Sequence, residues 1–282
     1  MPPHSELCLL AALGCRILGG DPRANLAMTN PLLSVANLTL GFGTREVIHG
    51  LSFEVHKGDC IAIIGPNGAG KTALFKALLH LIPYQGEIRW APEARLGYVP
   101  QKIAADRQLP FSAKELLASK ARFLHLPSAD VQAVSAELGL STELLNNSIG
   151  NLSGGQFQKA LIAFALLGAP NVLLFDEPTA SLDELSEERI YDLLHSLQKD
   201  RGMTILLVSH DLSIVYRYAN LVLCLSKGKT CMGPPKEVLT PATLQDLYAA
   251  PPQYYQHVHE TEPQGDALPI AREPISREKD KW

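Results

Sequence analysis

Several features are missing from this 282-residue sequence, and each absence narrows what the chain can be. No apolar run approaches the roughly 20 residues that cross a bilayer, so we expect any membrane role to come through a partner. The net charge of −4 provides no basic field, which disfavours nucleic acid as a partner. Hydrophobic residues make up 46% and charged residues 19%, which is typical of a soluble globular protein with one large or two modest domains.

Cysteines are few, and their spacing shows no pattern. The five are Cys8, Cys15, Cys60, Cys224 and Cys231, an odd number without a C-x-x-C pair. Cys60 and Cys224 lie within apolar, strand-like runs, where a small buried thiol is common. The sequence therefore predicts no disulfide framework and a reducing compartment.

The most distinctive stretch that is present is IAIIGPNGAGKT at residues 61–72. It fits G-x-x-x-x-G-K-[ST], a pattern that a chain of this length matches by chance about once in a hundred. The N–H groups of such a turn and of the following helix point at an anion, Lys71 suits the outer phosphates, and the Thr72 hydroxyl suits Mg²⁺. The alternative is an ordinary strand–helix turn, but Lys-Thr after three glycines favours nucleotide binding. The predicted nucleotide-binding positions are Gly65, Pro66, Asn67, Gly68, Ala69, Gly70, Lys71 and Thr72.

Apolar strands alternate with helices over residues 31–250, which predicts an α/β domain with a mainly parallel sheet and a site at the strand C-termini. Residues 102–156 are predicted to be an inserted, helical subdomain, and 239–248 a closing helix. We expect 1–30 to be a loose extension and 251–282 a disordered tail. Predicted strands cover 33–40, 51–56, 60–64, 86–90, 96–100, 172–175, 205–208 and 221–225, with a turn at 41–43.

Acidic and imidazole side chains follow two of the buried strands. Asp176 ends the run VLLF and suits a second Mg²⁺ contact, although capping a helix is the alternative role. On an extended chain Glu177 points to the opposite side, where it could polarise a water aimed at the γ-phosphate. His210 follows the run ILLV and could hold that phosphate or water, whereas elsewhere a lone histidine at a strand end is usually a surface residue.

The segment LSGGQ at residues 152–156 is a second glycine-rich turn before a helix. Its two glycines expose N–H groups that could bind another phosphate. Because the chain already has its own phosphate loop, this second cradle suggests a site that a partner subunit completes.

In order, GPNGAGKT, Gln101, LSGGQ, LLFDEP, Ser181-Leu182-Asp183 and Ser209-His210-Asp211 resemble the full motif set of ABC transporter ATP-binding subunits. The resemblance covers about residues 32–248. It implies the fold of a P-loop NTPase: a mainly parallel sheet, an N-terminal antiparallel β-subdomain and an inserted α-helical subdomain.

The same resemblance implies a head-to-tail homodimer that sandwiches two ATP molecules. Lys71 and Thr72 of one copy would face the signature residues of the other, namely Ser153, Gly154, Gly155 and Gln156. It further implies that Phe42 stacks on adenine, Gln101 senses Mg²⁺ and the membrane partner, Glu177 is the general base, His210 is the γ-phosphate switch and Asp183 communicates across the dimer. Thr72, Asp176 and Gln101 would be the Mg²⁺ contacts.

Four positions depart from the family pattern. Ala73 replaces a common hydroxyl that touches the α-phosphate, which removes a hydrogen bond worth about 0.5–1.5 kcal/mol. Phe42 replaces the usual tyrosine but keeps its stacking face, while Lys159 and Phe164 stand where arginine is common in the signature helix. Because none of these changes removes a catalytic group, an active site is predicted.

Residues 209–247 are similar to the ATPases of zinc and manganese importers. This similarity implies a separate integral membrane permease, an indirect solute-binding partner and a place at the cytoplasmic face of the membrane. The ATPase of another ABC importer or exporter is the alternative. A soluble, non-transport ABC protein is disfavoured, because such proteins usually carry two ATPase domains or a long coiled-coil insertion. His257 and His259 could bind metal, although two histidines in a tail are more often inert.

Overall fold

A computed structural model describes residues 30–43, 45–101, 111–177, 182–226 and 229–248. The predicted tail, nearly all of the predicted N-terminal extension, Ser181, Cys8 and Cys15 lie outside these ranges. The elements are β1 (Leu33–Phe42), β2 (Arg45–Val55), β3 (Cys60–Ile64), α1 (Lys71–Leu78), β4 (Gln85–Trp90), β5 (Leu96–Val99), α2 (Ala113–Phe123), α3 (Ser128–Glu137), α4 (Thr142–Asn146), α5 (Gly154–Leu166), β6 (Val172–Asp176), α6 (Glu184–Arg201), β7 (Thr204–Val208), α7 (Leu212–Tyr218), β8 (Leu221–Ser226), β9 (Lys229–Gly233), α8 (Pro235–Val238) and α9 (Pro241–Tyr248).

The larger sheet has six strands in the order β5-β6-β7-β3-β8-β9. All neighbours are parallel except β8 and β9. Every residue of β3, β6 and β7 is buried, which explains their continuous apolar sequences, because parallel strands are covered on both faces. The C-terminal ends of these three strands meet at one edge of the sheet, as predicted.

Alternation along the strands sorts side chains into two cores, one on each face of this sheet. Leu173 and Phe175 pack with the helical face that includes Tyr191. Leu174 packs on the other face, with Phe75 of α1 and the apolar side of the smaller sheet. That smaller sheet is antiparallel, in the order β2-β1-β4, so the predicted mixed architecture is confirmed.

The described part of the predicted insertion is helical. Its entry and exit are tied together, because Ala113 N–H donates to Asn147 O at 3.1 Å and Ile149 N–H donates to Phe111 O at 2.9 Å. Ser112 and Glu115 begin α2 with reciprocal side-chain-to-backbone hydrogen bonds. Within the described ranges, no helix is both long and apolar enough to cross a membrane.

Several sequence expectations were wrong in detail. Phe42 ends strand β1 instead of lying in a turn. The closing helix is confirmed as α9, which starts at Pro241, two residues later than predicted, and the short helix α8 before it was not predicted. The patterns missed α6 and β9, and β9 places Cys231 opposite Cys224, where the two form a disulfide. The expectation of no disulfide failed because the pairing depends on this unforeseen strand.

Candidate functional site

The phosphate loop connects β3 to α1, and neighbouring elements leave no room for a side chain at two of its glycines. Gly70 has φ +98° at the N-cap of α1, and a Cβ there would lie 2.7 Å from a Val47 side-chain carbon. At Gly65, a Cβ would collide with the carbonyl oxygen of Leu225 in β8. The loop is therefore held between the antiparallel sheet on one side and β8 on the other.

Lys71, the first residue of α1, folds back over this loop. Its Nζ donates to the carbonyl oxygens of Gly65 at 2.8 Å and Pro66 at 3.2 Å, and only 7% of the residue is exposed. Burial lowers the pKa of Lys71, and the negative charge of Asp176 opposes that shift. The loop thus contains a buried cation whose present partners are neutral carbonyls, which a bound phosphate could replace.

Asp176, at the end of β6, lies beneath the start of α1. The Thr72 hydroxyl donates to its Oδ1 at 3.2 Å, and the Tyr98 hydroxyl donates to its Oδ2 at 3.3 Å. Burial raises the pKa of Asp176, while these hydrogen bonds and the charges of Lys71 and Lys76 oppose the rise. Both oxygens therefore bond within the site, which accounts for this carboxylate without a helix-capping role.

Glu177 joins two segments that are far apart in sequence. Gln101 Nε2 donates to Glu177 Oε2 at 2.6 Å, and His210 Nε2 contacts Glu177 Oε1. Burial, followed by the charge of Lys71, lowers the pKa of His210. The backbone at Glu177 has φ +40°. The expectation that an extended chain directs this side chain was therefore wrong, since a left-handed turn does so.

An open cavity of about 390 Å³ lies over the phosphate loop. Phe42, 57% exposed at the end of β1, forms one wall, and Ala73 and Val47 line the same space. Among the described residues, the remaining lining consists of Asn67, Gly68, Gly70, Lys71, Thr72, Gln101 and Glu177. His210 lines an adjoining cavity of about 290 Å³, which shares Glu177. Residues from four separate parts of the sequence thus meet around the larger cavity, which combines an aromatic face, a cation and the carboxylate of Glu177.

The signature segment is built differently. Ser153 is the N-cap of α5: its hydroxyl accepts from Gln156 N–H at 3.3 Å, and Gln156 Oε1 accepts from Ser153 N–H at 3.0 Å. Gly155 lies against α6, with 3.1 Å between its ideal Cβ position and the Ser186 hydroxyl oxygen. Within the described ranges, none of residues 153–156 lines the cavity over the phosphate loop. One chain therefore does not bring its two glycine-rich turns into a common cavity.

Asp183 and Asp211 have local roles at helix starts. Asp183 accepts from Ser186 N–H at 2.8 Å and from the Ser186 hydroxyl at 2.9 Å, and these bonds lower the pKa of Asp183. Asp211 accepts from Ser213 N–H at 2.7 Å at the start of α7. The communication role that the resemblance implies for Asp183 stays a prediction.

Sequence patterns did not identify three residues that contact the site or the signature helix: Tyr98, Val47 and Lys120. Lys120 of α2 donates to the carbonyl oxygens of Phe164 at 2.5 Å and Ala165 at 3.3 Å, and its Nζ lies 4.7 Å from the centre of the Phe164 ring. A neighbouring helix thus brings a cation to the end of the signature helix, where Phe164 departs from the family pattern. Helical spacing gives no sign of this contact, whereas the alternation around Tyr98 in β5 could have indicated its direction.

Comparisons with known proteins agree with this geometry. The ABC transporter family matches residues 48–180. The zinc import ATP-binding protein ZnuC of Roseobacter denitrificans is 35% identical over 222 residues, which cover 77% of this chain and 84% of that protein. A metal transport system ATP-binding protein of Thermotoga maritima is 34% identical over 220 residues, covering 77% and 90%. A solved metal-chelate type ABC transporter in an inward-facing conformation superposes with a TM-score of 0.72 and 29% identity, covering 79% of this chain and 90% of that one.

Proposed function

The chain belongs to the ABC transporter ATP-binding family, and we propose that it powers the import of a divalent metal ion, zinc or manganese, through a separate permease. Membership makes it an ATPase that binds ATP. What carries the choice of a metal is the run of relatives named for zinc import or metal transport, at 33–38% identity over most of their length. The similarity of residues 209–247 to such importers supports the same choice.

The assembled cavity supports a defined way of holding ATP. The exposed ring of Phe42 offers a stacking face for adenine, and the phosphates would lie on the loop at residues 65–72. Lys71 would leave its carbonyl partners for the outer phosphates. Ala73 supplies no hydroxyl, so the α-phosphate would rely on backbone N–H groups.

The oxygen ligands expected for Mg²⁺ are already adjacent. The Thr72 hydroxyl and the Asp176 carboxylate are 3.2 Å apart, and hard oxygen ligands of this kind suit Mg²⁺, which in such enzymes neutralises charge on the phosphates. Gln101 is the third proposed contact. Because the Thr72 hydroxyl donates its proton to Asp176, its lone pairs stay available to the ion while that hydrogen bond is kept.

We assign the general base to Glu177. Its carboxylate borders both cavities and is the group to which Gln101 and His210 converge. In the proposed reaction Glu177 accepts a proton from the attacking water, and His210 leaves Glu177 to donate from Nε2 to the γ-phosphate. Release of Gln101 from Glu177 would let the amide respond to bound Mg²⁺.

We further propose that the active unit is a homodimer, in which Ser153–Gln156 of one copy close over the nucleotide of the other. This arrangement is supported by the cavity over the phosphate loop, because its described lining includes none of these residues from the same chain. Capping hydrogen bonds hold the Ser153 turn in shape before any partner arrives. The permease would hold the dimer at the cytoplasmic face of the membrane, with a solute-binding protein as the indirect partner.

Metal uptake tests the proposal directly. Cells that lack the gene are expected to take up less radioactive zinc or manganese, and the wild-type gene should restore uptake whereas the Glu177→Gln gene should not. Unchanged uptake of both ions would contradict a metal importer. A phenotype with an organic solute instead would favour the alternative, the ATPase of another ABC importer, while leaving the ATPase assignment intact.

A further inference from the structure

Two cysteines face each other across the only antiparallel pair that the described six-stranded sheet contains. Cys224 in β8 and Cys231 in β9 are opposite in register, their Cα atoms are 5.0 Å apart, and their sulfurs are bonded. The third described cysteine differs sharply, because Cys60 is free, and burial raises its pKa to about 12. The ATPase roles assigned above use none of these thiols.

One of the two cysteines, Cys231, is accessible from a cavity at the surface. Both cysteines line a cavity of about 580 Å³ beside α9, together with Thr230, Thr243 and Leu247. Cys224 is 1% exposed, whereas Cys231 is only partly buried. A reagent that enters this cavity would therefore meet the sulfur of Cys231 first.

The pair also lies directly behind the phosphate loop. Cys224 is the register partner of Ile64, the last residue before the loop. The next residue, Leu225, supplies the carbonyl that lies against Gly65. A bond that fixes β9 to β8 at this point therefore restricts the part of β8 that contacts the first residue of the phosphate loop.

From these contacts we propose that Cys224 and Cys231 form a redox-active pair whose disulfide tightens the phosphate loop. The oxidant is a low-molecular-weight disulfide of the glutathione class. The Cys231 thiolate attacks one of its sulfurs, breaking that S–S bond and releasing one thiol. Cys224, having lost its proton, then attacks Cys231 Sγ and releases the second thiol. Two protein thiols are oxidised, and one external disulfide is reduced to two thiols.

Mass spectrometry on the full chain tests the chemistry, with Cys8→Ser and Cys15→Ser as the background. After reduction and removal of the reductant, glutathione disulfide should convert the pair to a disulfide, and dithiothreitol should reverse this without unfolding. Cys60 should stay unmodified throughout. The proposal would be overturned if the pair did not reoxidise in the folded protein, or if the disulfide could not be reduced without unfolding.

Single variants test the order of attack. In Cys224→Ser, the glutathione adduct on Cys231 should accumulate because the second thiol is missing. In Cys231→Ser, the buried Cys224 should stay free. Modification of Cys224 instead would contradict the assigned order. The measurement on the unsubstituted pair stays decisive if a variant fails to fold.

Coupling to the loop is tested by comparing both redox forms. The oxidised form should melt about 5 °C higher, because the cross-link restricts the unfolded chain. It should also bind ATP about two- to tenfold more tightly, since a stiffer loop is better organised for binding. The Cys224→Ser/Cys231→Ser variant should show one affinity in both buffers. Equal affinities for the two wild-type forms would overturn the coupling.

Discussion

The phosphate loop and the signature segment are both glycine-rich turns that lead into a helix. They differ in whether other parts of the same chain complete a binding cavity around them. The loop carries its own buried cation in Lys71 and opens into a cavity with Phe42 and Glu177. The signature turn has an exposed Ser153, whose hydrogen bonds serve only to start α5. Two similar sequences thus give one turn that lines a cavity and one helix N-terminus that does not.

The difference lies in what surrounds each turn. β8 and the Val47 region of the antiparallel sheet enclose the loop, and Asp176 lies beneath it. The signature turn contacts α6 through Gly155 but faces away from its own chain's cavity. A helix N-terminus therefore becomes a complete site only where other elements add charge and walls. The four experiments that follow would break or sharpen this contrast.

The largest effect is expected from Glu177→Gln, which removes the proposed base from the loop's cavity while keeping its shape. Turnover should fall about 10²- to 10⁴-fold with ATP binding retained, because the amide cannot accept the proton while the phosphate loop and Phe42 are unchanged. ATPase rates and nucleotide titrations measure both quantities. The control Glu54→Gln changes an exposed strand residue in β2. Near-normal turnover in Glu177→Gln would refute the base assignment.

Mixing two inactive variants tests whether the signature turn completes a partner's loop. Lys71→Ala and Ser153→Ala should each be nearly inactive alone. An equal mixture should recover at most about a quarter of wild-type activity, because half of randomly paired dimers contain one intact composite site. Full activity in the mixture would rule out the shared arrangement.

Replacing one glycine of each turn by alanine should have different effects on ATP affinity in the phosphate loop and in the signature segment. Gly70→Ala places a side chain at φ +98° against Val47 and Ile48, so ATP affinity should fall about 5- to 150-fold. Gly155→Ala, near Ser186 on α6, should leave the ATP affinity of the isolated subunit within about twofold while reducing turnover. Calorimetry and ATPase assays give the two readouts. Equal losses of affinity would contradict the contrast.

The smallest effect is expected from Tyr98→Phe, which deletes one of the hydrogen bonds beneath the loop. Asp176 would lose about 1 kcal/mol of support, weakening Mg²⁺–ATP binding roughly fivefold. The matched control is Tyr84→Phe, whose hydroxyl contacts exposed His80 instead. If both variants bind equally well, Tyr98 has no part in positioning Asp176.

The sequence predicted most of the parallel sheet and the meeting of Thr72 with Asp176, because short-range patterns specify both. Continuous apolar runs predict the buried strands, and the spacing of glycines, lysine and threonine predicts the turn of the phosphate loop. Asp176 follows such a strand, so its place at the sheet edge required no knowledge of side-chain packing.

Other features depend on tertiary neighbours that no local pattern records. The direction of the Glu177 side chain is set by a left-handed backbone and not by the extended chain that the sequence suggested. β9 contains polar residues and glycine, so only its pairing with β8 reveals it as a strand, together with the disulfide. Lys120 looks like an ordinary surface lysine until α2 and α5 are packed together.

The contact of Lys120 with the end of α5 has a mechanical consequence. The helix is fixed at one end by hydrogen bonds of Ser153 and Gln156, and at the other by an ammonium group from α2. Thirteen residues make a rod about 20 Å long. If α2 were displaced, these contacts would carry the far end of α5, with Ser153, along with it as one rigid element.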